Sequence, residues 1–388
     1  MFKIQKLNKI SSKGLELMPA DAYENASEIV NPDAILVRSA KMHDMDMPES
    51  LKAIARAGAG VNNIPIEDCA EKGIVVFNTP GANANGVKEL VLMSMIMASR
   101  NAFQGIEWAQ GLKGKGDEVP KLIEGGKSNY TGPEIKNKKL GVIGLGAIGV
   151  MVANDATALG MKVMGYDPYI SVDAAWGLSR SVNKAISLDS LLAECDYISL
   201  HVPLNDDTKG LINKEKINIM KDDAKIMNFA RGGLVNNKDL IAALKDNKIG
   251  CYVSDFPDED LLDVDGVIPI PHLGASTPES EENCALMAVN QIMNYLENGN
   301  IVNSVNYPDC TLAASGNSRI TIANKNVPNI IGQVTHILAE KSINIADMLN
   351  KSRGDFAYTI IDTDQDITDD VISGLQSIDG VIMVRVLS

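Results

Sequence analysis

The sequence predicts a three-part α/β protein: two doubly wound parallel-sheet domains, followed by a small α+β domain at the carboxyl end. Short apolar runs alternate with helical patterns over residues 1–100 and again from Lys139 onward, and such alternation is typical of parallel sheets. A glycine-rich turn follows the apolar run at residues 140–143. The last part of the chain, from residue 318, instead follows a β-α-β-β-α-β order.

The composition is that of a folded, acidic protein. Its 388 residues are enough for two to four domains, and 45% of them are hydrophobic. The formal net charge is −14, and the sequence contains no run of Lys or Arg. Such a chain repels nucleic acid and anionic membrane surfaces, so neither is expected as a partner.

The cysteines and the N-terminus suggest a cytoplasmic protein without a metal site. The five cysteines are widely spaced, match no metal-binding pattern and are expected to be reduced thiols. The first ten residues lack the apolar core of a signal peptide. The longest apolar stretch, Leu90–Ala98, is far shorter than the roughly 20 residues that a membrane span needs.

In the first part of the chain, two four-residue apolar runs, Ala34–Val37 and Ile74–Phe77, predict buried parallel strands. A single long helix is predicted over residues 86–110. The following segment, 111–133, is rich in glycine and lysine and contains two prolines. It is interpreted as a loop and as a place where the chain crosses between domains.

From Lys139 the strand–helix alternation restarts. Further strands are predicted at Lys162–Tyr166, Tyr197–Val202, Lys225–Phe229 and Val267–Pro269. A second long helix is predicted over residues 276–297, with Thr277 as its N-cap and Pro278 in the first helical position.

The order of these elements predicts a discontinuous domain. Residues 1–97 and 275–315 are expected to form a substrate-binding domain, interrupted by a cofactor domain at 98–274. The reason is that the whole glycine-turn region separates the second long helix from the strands that it must cover.

The C-terminal segment, residues 318–388, is predicted to form a ferredoxin-like domain. Its strands are placed at 319–323, 345–351, 356–362 and 381–387, and its helices at 330–341 and 368–377. So small a sheet exposes edge strands and a face that it cannot cover alone. Pairing with a second copy, in a homodimer or homotetramer, is therefore predicted.

The strongest local motif is G-x-G-x-x-G at residues 144–149. It follows an apolar strand and opens a helical run, residues 150–159. A second strand then ends in Asp167, 23 positions after the first glycine. This is the full sequence context of a dinucleotide site, although a glycine-rich turn without a ligand is the alternative.

Each residue of this motif has a physical role. Gly144 permits the tight turn, Gly146 lets the backbone approach a pyrophosphate, and Gly149 lets the helix pack on the strand. The phosphates would lie at the helix N-terminus, which favours anions. Asp167 would accept hydrogen bonds from the ribose hydroxyls and repel a 2′-phosphate, so NAD is expected rather than NADP.

Three further polar groups follow strands beyond this motif. Arg231 lies in a turn after an apolar strand, where it could clamp a carboxylate or form a surface ion pair. Residues 254–260 are an acidic loop, either solvated or catalytic. His272 lies between prolines and a glycine, where a lone histidine is often structural. Together they predict a carboxylate clamp, a proton acceptor and a carboxylate that orients the imidazole ring.

Several motifs in order resemble those of the D-2-hydroxyacid dehydrogenases, over nearly the whole chain. Among these enzymes, the resemblance is greatest to the members that oxidise 3-phosphoglycerate in serine biosynthesis. The matching segments are 36–40, 56–64, 76–81, 144–149, 201–204, 228–233 and 271–277, together with Asp167. The resemblance implies oxidation of D-3-phosphoglycerate by hydride transfer to NAD. It also implies ACT-like regulation by the C-terminal domain.

The resemblance assigns roles residue by residue. Arg231 would bind the substrate carboxylate, and His272 would be the acid/base. The implied cofactor contacts are Thr79, Gly144, Gly146, Ala147, Ile148, Gly149, Asp167, His201, Val202, Pro203, Phe229, Ala230, Arg231, Asp255, His272, Gly274 and Ala275. The implied substrate contacts are Arg38, Ser39, Gly58, Ala59, Gly60, Val61, Asn62, Arg231, His272 and, as a weaker candidate, Lys127.

One catalytic position departs from the family pattern. The carboxylate that pairs with the histidine is a Glu in the family, and counting from Asp255 places Asp260 there. Glu259 lies one residue earlier. Either Asp260 reaches His272 with a shorter side chain, or the loop shifts so that Glu259 does; the register favours Asp260.

The C-terminal segment resembles the amino-acid-binding ACT domains only in part. Asn326 and Asn344 match ligand-binding positions. Asn324, Val327 and Asn329 stand where a His, an Arg and a Gly are usual. A ligand carboxylate would lack a charged partner there, so serine is expected to bind weakly or not at all.

Three other functions are compatible with parts of this sequence. A hydroxypyruvate, glyoxylate or other D-2-hydroxyacid dehydrogenase would share the fold, but Arg38, Ser39 and the ACT-like domain argue against it. A non-catalytic NAD-sensing adaptor would not need Arg231 and His272. A pure amino-acid-binding regulator would leave the glycine motif unexplained.

Overall fold

The computed structural model describes residues 1–387. Two compact units form within it: Met1–Ala82 together with the chain from Glu281 onward, called the terminal unit, and Asn83–Ser280, called the central unit. Each of them contains a parallel sheet, and the terminal unit also holds a small antiparallel sheet. The predicted fold class is confirmed.

The parallel sheet of the terminal unit has five strands in the order β2-β1-β3-β4-β5. Its strands are β1 Phe2–Lys6, β2 Tyr23–Ala26, β3 Ala34–Val37, β4 Ala53–Arg56 and β5 Val75–Phe77, with helices α1 Ser12–Leu15 and α2 Ile66–Glu71. The residues of β3 and β5 are all buried. Both strands lie in the predicted apolar runs, as expected for a parallel sheet covered on both faces.

The central unit is built on a seven-stranded parallel sheet in the order β12-β11-β10-β9-β6-β7-β8. Its strands are β6 Lys139–Ile143, β7 Lys162–Tyr166, β8 Asn183–Lys184, β9 Tyr197–Leu200, β10 Ala224–Asn228, β11 Ile249–Ser254 and β12 Val267–Pro269. The strand order reverses between β6 and β9. Such a reversal point opens a crevice at the carboxyl ends of the strands, where doubly wound sheets bind ligands.

Helices flank this sheet. They are α3 Ala84–Arg100, α4 Ala102–Gly111, α5 Val119–Gly126, α6 Ala147–Ala158, α7 Val172–Gly177, α8 Leu188–Glu194, α9 Lys214–Ile219 and α10 Asn237–Lys245. Short 3-10 helices occur at Gly116–Glu118, Lys127–Tyr130 and Glu259–Leu261.

Two predictions for residues 86–133 were wrong. The single long helix is two helices, because Asn101 takes a left-handed conformation with φ 48° and ends α3. The segment interpreted as a loop contains α5 and two 3-10 helices. Its glycine and proline content concealed them, since Pro120 stands at the start of α5, where a proline is tolerated. Trp108 and Tyr130 pack with ring centroids 5.2 Å apart across this segment.

The first crossing between the units comes earlier than predicted. Val87, Val91 and Met95 on α3 are buried in the same core as the strands of the central unit. The chain therefore leaves the terminal unit at Ala82, fifteen residues before the predicted bound at 97. The return crossing at Ser280 lies close to the predicted bound at 274.

The second long helix, α11 Pro278–Asn298, begins in the central unit and continues into the terminal unit. The predicted N-cap is confirmed, because Thr277 Oγ1 accepts a hydrogen bond from Ser280 N at 3.0 Å. In the terminal unit, Ala285 and Ile292 of α11 are buried against the parallel sheet.

The C-terminal segment has the predicted β-α-β-β-α-β order. It comprises β13 Ser318–Lys325, α12 Ile330–Glu340, β14 Ile345–Arg353, β15 Phe356–Thr363, α13 Asp369–Gln376 and β16 Val381–Leu387. The strands form an antiparallel sheet in the order β14-β15-β13-β16. The ferredoxin-like arrangement is therefore confirmed.

The inner strands β13 and β15 of this small sheet are covered on both faces by the chain itself, whereas seven of the nine residues of the edge strand β14 are exposed. One face packs on α12 and α13 through residues such as Ile320 and Ile361. The other, with Tyr358 and Ile360, is buried in the same core as the parallel sheet of the terminal unit. The uncovered surface predicted for this sheet is therefore confined to its edge, at β14. Only the edge strands β14 and β16 still support that argument, and the oligomeric state stays a prediction.

Within residues 1–387, no helix combines the length and the apolar character needed to cross a bilayer. In the same described range, no three His, Cys, Asp or Glu side chains gather in a way that would hold a metal ion. The five cysteines are buried and free.

Candidate functional site

The candidate site residues fall in both units. Arg38, Ser39, the loop 58–62, Thr79 and the two C-terminal asparagines belong to the terminal unit. The glycine turn, Asp167, the strand-end residues from 201 to 275 and Lys127 belong to the central unit.

The glycine turn after β6 leaves open space at the N-terminus of α6. Gly144 has φ +89°, and a Cβ there would come 2.5 Å from the carbonyl oxygen of His201, so only glycine fits. Gly146 is the N-cap of α6, and a Cβ on it would meet no atom within 4 Å. A side chain would fill this open cradle above the N-terminus of α6. Ala147 and Ile148 form the first turn of the helix, whose free N–H groups favour an anion.

Asp167 is held against this turn. Its Oδ2 accepts a hydrogen bond from Leu145 N at 2.8 Å, and its Oδ1 accepts one from Tyr169 N at 2.8 Å. Each carboxylate oxygen retains a lone pair for a further donor. The structure therefore brings the predicted ribose-binding carboxylate and the glycine turn together.

His201 lies beside the same turn and is uncharged at neutral pH. It lies directly after β9, where burial lowers its pKa to about 4. Ser199 Oγ lies 2.8 Å from its Nε2, while Nδ1 has no partner within the described chain. Val202 and Pro203 follow His201 in the chain. The Pro203 carbonyl accepts a hydrogen bond from Thr208 Oγ1 at 2.6 Å.

The turn that carries Arg231 is shaped by a buried side chain. Asn228, the last residue of β10, is fully buried; its Nδ2 donates to the Arg231 carbonyl at 2.9 Å, and its Oδ1 accepts from Ala230 N at 3.2 Å. The Arg231 guanidinium is exposed and donates to the Ala230 carbonyl at 2.8 Å. It has no ion-pair partner among residues 1–387, so its charge is available to an anion. No sequence pattern had indicated a separate role for Asn228.

Asp255, after β11, presents a buried acceptor. The residue is 2% exposed, and its Oδ2 accepts a bond from Gly274 N at 3.2 Å. Its Oδ1 has no donor within the described chain. Burial raises the pKa of Asp255, and the nearby His272 and Arg231 oppose that shift. An orphaned carboxylate oxygen of this kind fits an N–H donor such as the carboxamide of nicotinamide.

His272 is exposed, and its ring lies 4.5 Å from the ring of Phe256 between centroids. Asp260 and Glu259 are also exposed, on the short 3-10 helix Glu259–Leu261. Within residues 1–387, neither carboxylate forms an ion pair or hydrogen bond with His272. The structure therefore groups Arg231, Asp255 and His272 electrostatically and leaves the choice between Asp260 and Glu259 open.

In the terminal unit, one side chain organises the loop of Arg38 and Ser39. Asn8 Oδ1 accepts hydrogen bonds from the N–H groups of Arg38, Ser39 and Ala40 at 3.0, 2.9 and 3.0 Å. The Arg38 guanidinium forms an ion pair with Glu281 at 2.7 Å. The sequence analysis missed Asn8. Its position two residues after β1 could have indicated it, since polar groups at carboxyl strand ends share one sheet edge.

The neighbouring loop 58–62 is fixed from both sides. Thr79 is buried; its Oγ1 accepts from Gly58 N at 2.8 Å, and its N–H donates to the Gly58 carbonyl at 3.1 Å. Asn78 Nδ2 donates to the Ala59 carbonyl at 2.6 Å. Arg56 Nε donates to the Arg38 carbonyl at 2.9 Å and thereby links this loop to that of Arg38.

The remaining candidates are engaged elsewhere. Lys127 is exposed and pairs with Glu124 on the same surface segment. In the C-terminal segment, Asn326 Nδ2 donates to the Gly354 carbonyl at 3.0 Å, and Asn344 Nδ2 donates to Asp364 at 2.5 Å. Asn329 has φ +69°, the left-handed conformation that the usual glycine would supply.

The family model and the similar proteins all point to one family. Residues 92–274 match the model of the D-isomer-specific 2-hydroxyacid dehydrogenase, NAD-binding domain. The chain is 35% identical over 335 residues to a D-3-phosphoglycerate dehydrogenase of Methanocaldococcus jannaschii, with 84% of this chain and 61% of that protein covered. It is 32% identical over 382 residues to the enzyme of the same name from Haemophilus influenzae, with 95% and 89% covered.

A solved structure of a similar protein has the same fold over most of this chain. The NAD+-bound 3-phosphoglycerate dehydrogenase of Entamoeba histolytica superposes with a TM-score of 0.60 at 28% identity. The match covers 79% of this chain and 98% of that one.

Proposed function

Because this chain belongs to the D-isomer-specific 2-hydroxyacid dehydrogenases, we propose that it oxidises D-3-phosphoglycerate to 3-phosphohydroxypyruvate with NAD, the first step of serine biosynthesis. The observation that carries the proposal is the grouping of Arg231, Asp255 and His272 at the carboxyl edge of a sheet that also bears an intact dinucleotide turn. Two relatives that are 35% and 32% identical to this chain, over 84% and 95% of its length, bear the name of that activity.

The cofactor would be held by the central unit. The free N–H groups at the start of α6 would bind the pyrophosphate, Asp167 would accept hydrogen bonds from the ribose hydroxyls, and Asp255 Oδ1 would accept one from the carboxamide N–H. When bound, NAD supplies the hydride acceptor. His201, whose pKa is lowered to about 4, would add no charge beside it at neutral pH.

The chemistry on the substrate is divided between two side chains. Arg231 binds the carboxylate through its free guanidinium and stabilises the carbonyl as it develops, an electrostatic contribution of about 3–4 kcal/mol. An imidazole nitrogen of His272 takes the hydroxyl proton as the C2–H bond breaks. Asn228 acts indirectly, because it fixes the turn that aims Arg231.

Recognition of the rest of the substrate is proposed for the terminal unit. The N–H groups of the loop 58–62 form a small anion nest, and Arg38 with Ser39 would bind the phosphate. Lys127 is a weaker candidate for the same role, because it is already paired with Glu124.

A panel of substrates tests the proposal. NADH formation is measured with D-3-phosphoglycerate, D-glycerate, D-lactate and glycolate, and NADH consumption with hydroxypyruvate and glyoxylate. We expect kcat/KM to be highest with the phosphorylated acid. A preference for hydroxypyruvate or glyoxylate would favour the other dehydrogenases of this family, and no turnover with any acid would favour an NAD-sensing adaptor.

The cofactor choice gives a further prediction. Wild-type protein should have a higher kcat/KM with NAD than with NADP, and Asp167→Asn should reduce that ratio by about tenfold or more. Asparagine keeps one acceptor for the Leu145 or Tyr169 N–H but removes the charge that repels a 2′-phosphate; a charge-assisted hydrogen bond contributes roughly 1.5–3 kcal/mol. Asp173→Asn, an acidic residue on α7, is the control. Equal efficiency of both cofactors in the wild type would contradict the prediction.

The open carboxylate question is decided by two variants. Asp260→Asn should lower kcat, because the carboxylate would no longer orient the imidazole ring of the acid/base. Glu259→Gln should leave kcat unchanged, as should the control Asp263→Asn. If only Glu259→Gln is impaired, the register is shifted by one residue.

Cytoplasmic location, the homodimer or homotetramer and an amino-acid effector near Asn326 and Asn344 stay predictions. The engaged side chains of both asparagines agree with weak serine binding, since an effector would have to displace existing hydrogen bonds.

A further inference from the structure

The phosphate site proposed for the terminal unit already contains an anion. Arg38 Nη2 lies 2.7 Å from Oε1 of Glu281, which is near the start of α11. Both residues belong to the terminal unit. The charge that Arg38 offers to the substrate phosphate is therefore already paired with a carboxylate of this chain.

The backbone of the Arg38 loop does not replace that charge. Asn8 Oδ1 accepts hydrogen bonds from the three consecutive N–H groups of residues 38–40. These N–H groups are therefore not free to bind an anion, as those of an anion nest would be. The side chains remain: the Arg38 guanidinium and the exposed Ser39 hydroxyl, which forms no hydrogen bond within residues 1–387. Phosphate binding by this loop thus depends mainly on Arg38.

The other arginine beside this loop supports the backbone. Arg56 Nε donates to the Arg38 carbonyl at 2.9 Å, and Arg56 Nη1 donates to the Gly60 carbonyl. Arg56 thereby joins the loop 38–40 to the loop 58–62. Because its guanidinium donates to backbone carbonyls whereas that of Arg38 faces a carboxylate, a phosphate would compete with Glu281 for Arg38.

The Glu281 oxygen lies against the guanidinium nitrogen that a phosphate would need. A guanidinium binds a phosphate in a two-pronged manner through Nη2 together with either Nε or Nη1. The buried pair of Arg319 and Asp362 in this chain uses the first of these arrangements. Since both arrangements include Nη2, a phosphate bound in either way would lie beside the Glu281 carboxylate, and like charges at that distance repel.

The pair of Arg38 and Glu281 is weak enough for a phosphate to displace it. The two side chains are 42% and 46% exposed. Ion pairs with such exposure are screened by water and salt and stabilise a protein little. A phosphate monoester carries a charge of about −1.5 to −2 at pH 7, more than a single carboxylate. Arg38 would therefore exchange a weaker partner for a stronger one, and breaking the first pair would reduce the gain.

We propose that Glu281 determines how strongly this site selects a phosphorylated acid, because its carboxylate pairs with Arg38 until the substrate phosphate displaces it. The inference rests on the proposed function, which assigns Arg38 to the phosphate of D-3-phosphoglycerate. Displacement raises KM for that acid, since part of the binding free energy is used to break the pair. An acid without a phosphate leaves the pair intact, so its KM does not depend on Glu281.

Steady-state kinetics of Glu281→Gln tests the proposal. Glutamine keeps the length of the side chain and removes its charge. We expect KM for D-3-phosphoglycerate to fall by about three- to fivefold, the range of an exposed ion pair. Neither kcat nor KM for D-glycerate should change, because the pair takes no part in the chemical step or in binding an acid without a phosphate.

Two controls separate this role from a general change in charge. Glu282, the next residue of α11, pairs instead with Lys13 at 2.6 Å, so Glu282→Gln should leave KM for D-3-phosphoglycerate unchanged. In an Arg38→Met background, Glu281→Gln should no longer raise kcat/KM, because the pair is already absent. An unchanged or higher KM in Glu281→Gln, an equal fall in Glu282→Gln, or an equal gain in the Arg38→Met background would each overturn the proposal.

Calorimetric titration of the full chain with D-3-phosphoglycerate gives a measurement that does not need turnover. Glu281→Gln should bind this acid about three- to fivefold more tightly than the wild type, with no change for D-glycerate. If the chain oxidises none of the acids but this gain in affinity is observed, the proposed function fails and the role of Glu281 stands. If the acid is oxidised and Glu281→Gln binds it no more tightly, only the role of Glu281 fails. No binding of D-3-phosphoglycerate by any variant would overturn both.

Discussion

Replacing His272 with alanine is expected to lower kcat by about 10²–10⁴-fold, because a general acid/base group contributes on that scale. The loss in NAD affinity should be far smaller, since the glycine turn, Asp167 and Asp255 remain to hold the cofactor. Steady-state kinetics gives kcat, and a fluorescence titration with NADH gives the affinity.

His336→Ala is the matched control for this variant. His336 is an exposed histidine on α12 that pairs with Glu340 one turn away, remote in sequence from the proposed site. Its kcat should equal that of the wild type. A loss for His272→Ala of less than tenfold, or an equal loss of NAD affinity, would contradict the assigned role.

The second large effect is expected on stability, from Arg319→Ala. Arg319 and Asp362 form a two-pronged buried ion pair, with Nε–Oδ1 at 2.6 Å and Nη2–Oδ2 at 2.8 Å. Removal of one partner leaves an uncompensated buried charge, which costs about 3–5 kcal/mol. Arg319 also donates to the Asn298 and Leu312 carbonyls at 2.9 and 3.0 Å, so those bonds are lost too. Urea unfolding measures the free energy of unfolding.

The pH dependence of this effect has a defined sign. Burial alone would raise the pKa of Asp362, but the bonds from Arg319 and Ser315 lower it overall. A lowered pKa in the folded state stabilises the protein above the pKa of the unfolded carboxyl and loses that effect as the pH falls. The difference in unfolding free energy between the wild type and Arg319→Ala should therefore narrow below about pH 4.

Lys341→Ala serves as the control for the buried pair. Lys341 and Asp370 form an ion pair within the same C-terminal segment, but both side chains are about half exposed. Water and salt screen such a pair, so its loss should change the free energy of unfolding little. An equal loss of unfolding free energy in both variants would mean that the buried pair of Arg319 stabilises the protein no more than the exposed pair of Lys341.

Within the terminal unit, the C-terminal segment is bonded directly to the end of α11. Tyr358 Oη donates to the Gly299 carbonyl at 2.9 Å, and the Arg385 guanidinium lies 4.6 Å from the ring centroid of Tyr295. Arg385 also donates to the Leu296 carbonyl at 2.9 Å, near the C-terminal end of α11. These contacts connect the C-terminal segment directly to α11 and to the residue that follows it.

Much of this protein is determined by local sequence. The apolar run of β3, the glycine turn at 144–149, the position of Asp167 and the cap at Thr277 are where the sequence predicts them. The cap and the positive φ of Gly144 are local features, whereas Asp167 bonds to Leu145, 22 positions away, and was predicted from the spacing of the motif. Burial periodicity, a glycine that must adopt positive φ and a hydroxyl that caps a helix are all visible in a short window of sequence.

Only the tertiary structure decided the remaining features. The crossing at Ala82 depends on α3 joining a core with strands more than forty residues later. One face of the antiparallel sheet in the C-terminal segment is covered because Tyr295 and Tyr307 pack against Tyr358. The hydrogen bonds of Asn8 with Arg38 and of Gln291 with Asn78 join residues 30 and 213 positions apart in the chain. Such contacts are set by how separate elements pack, which no local pattern records.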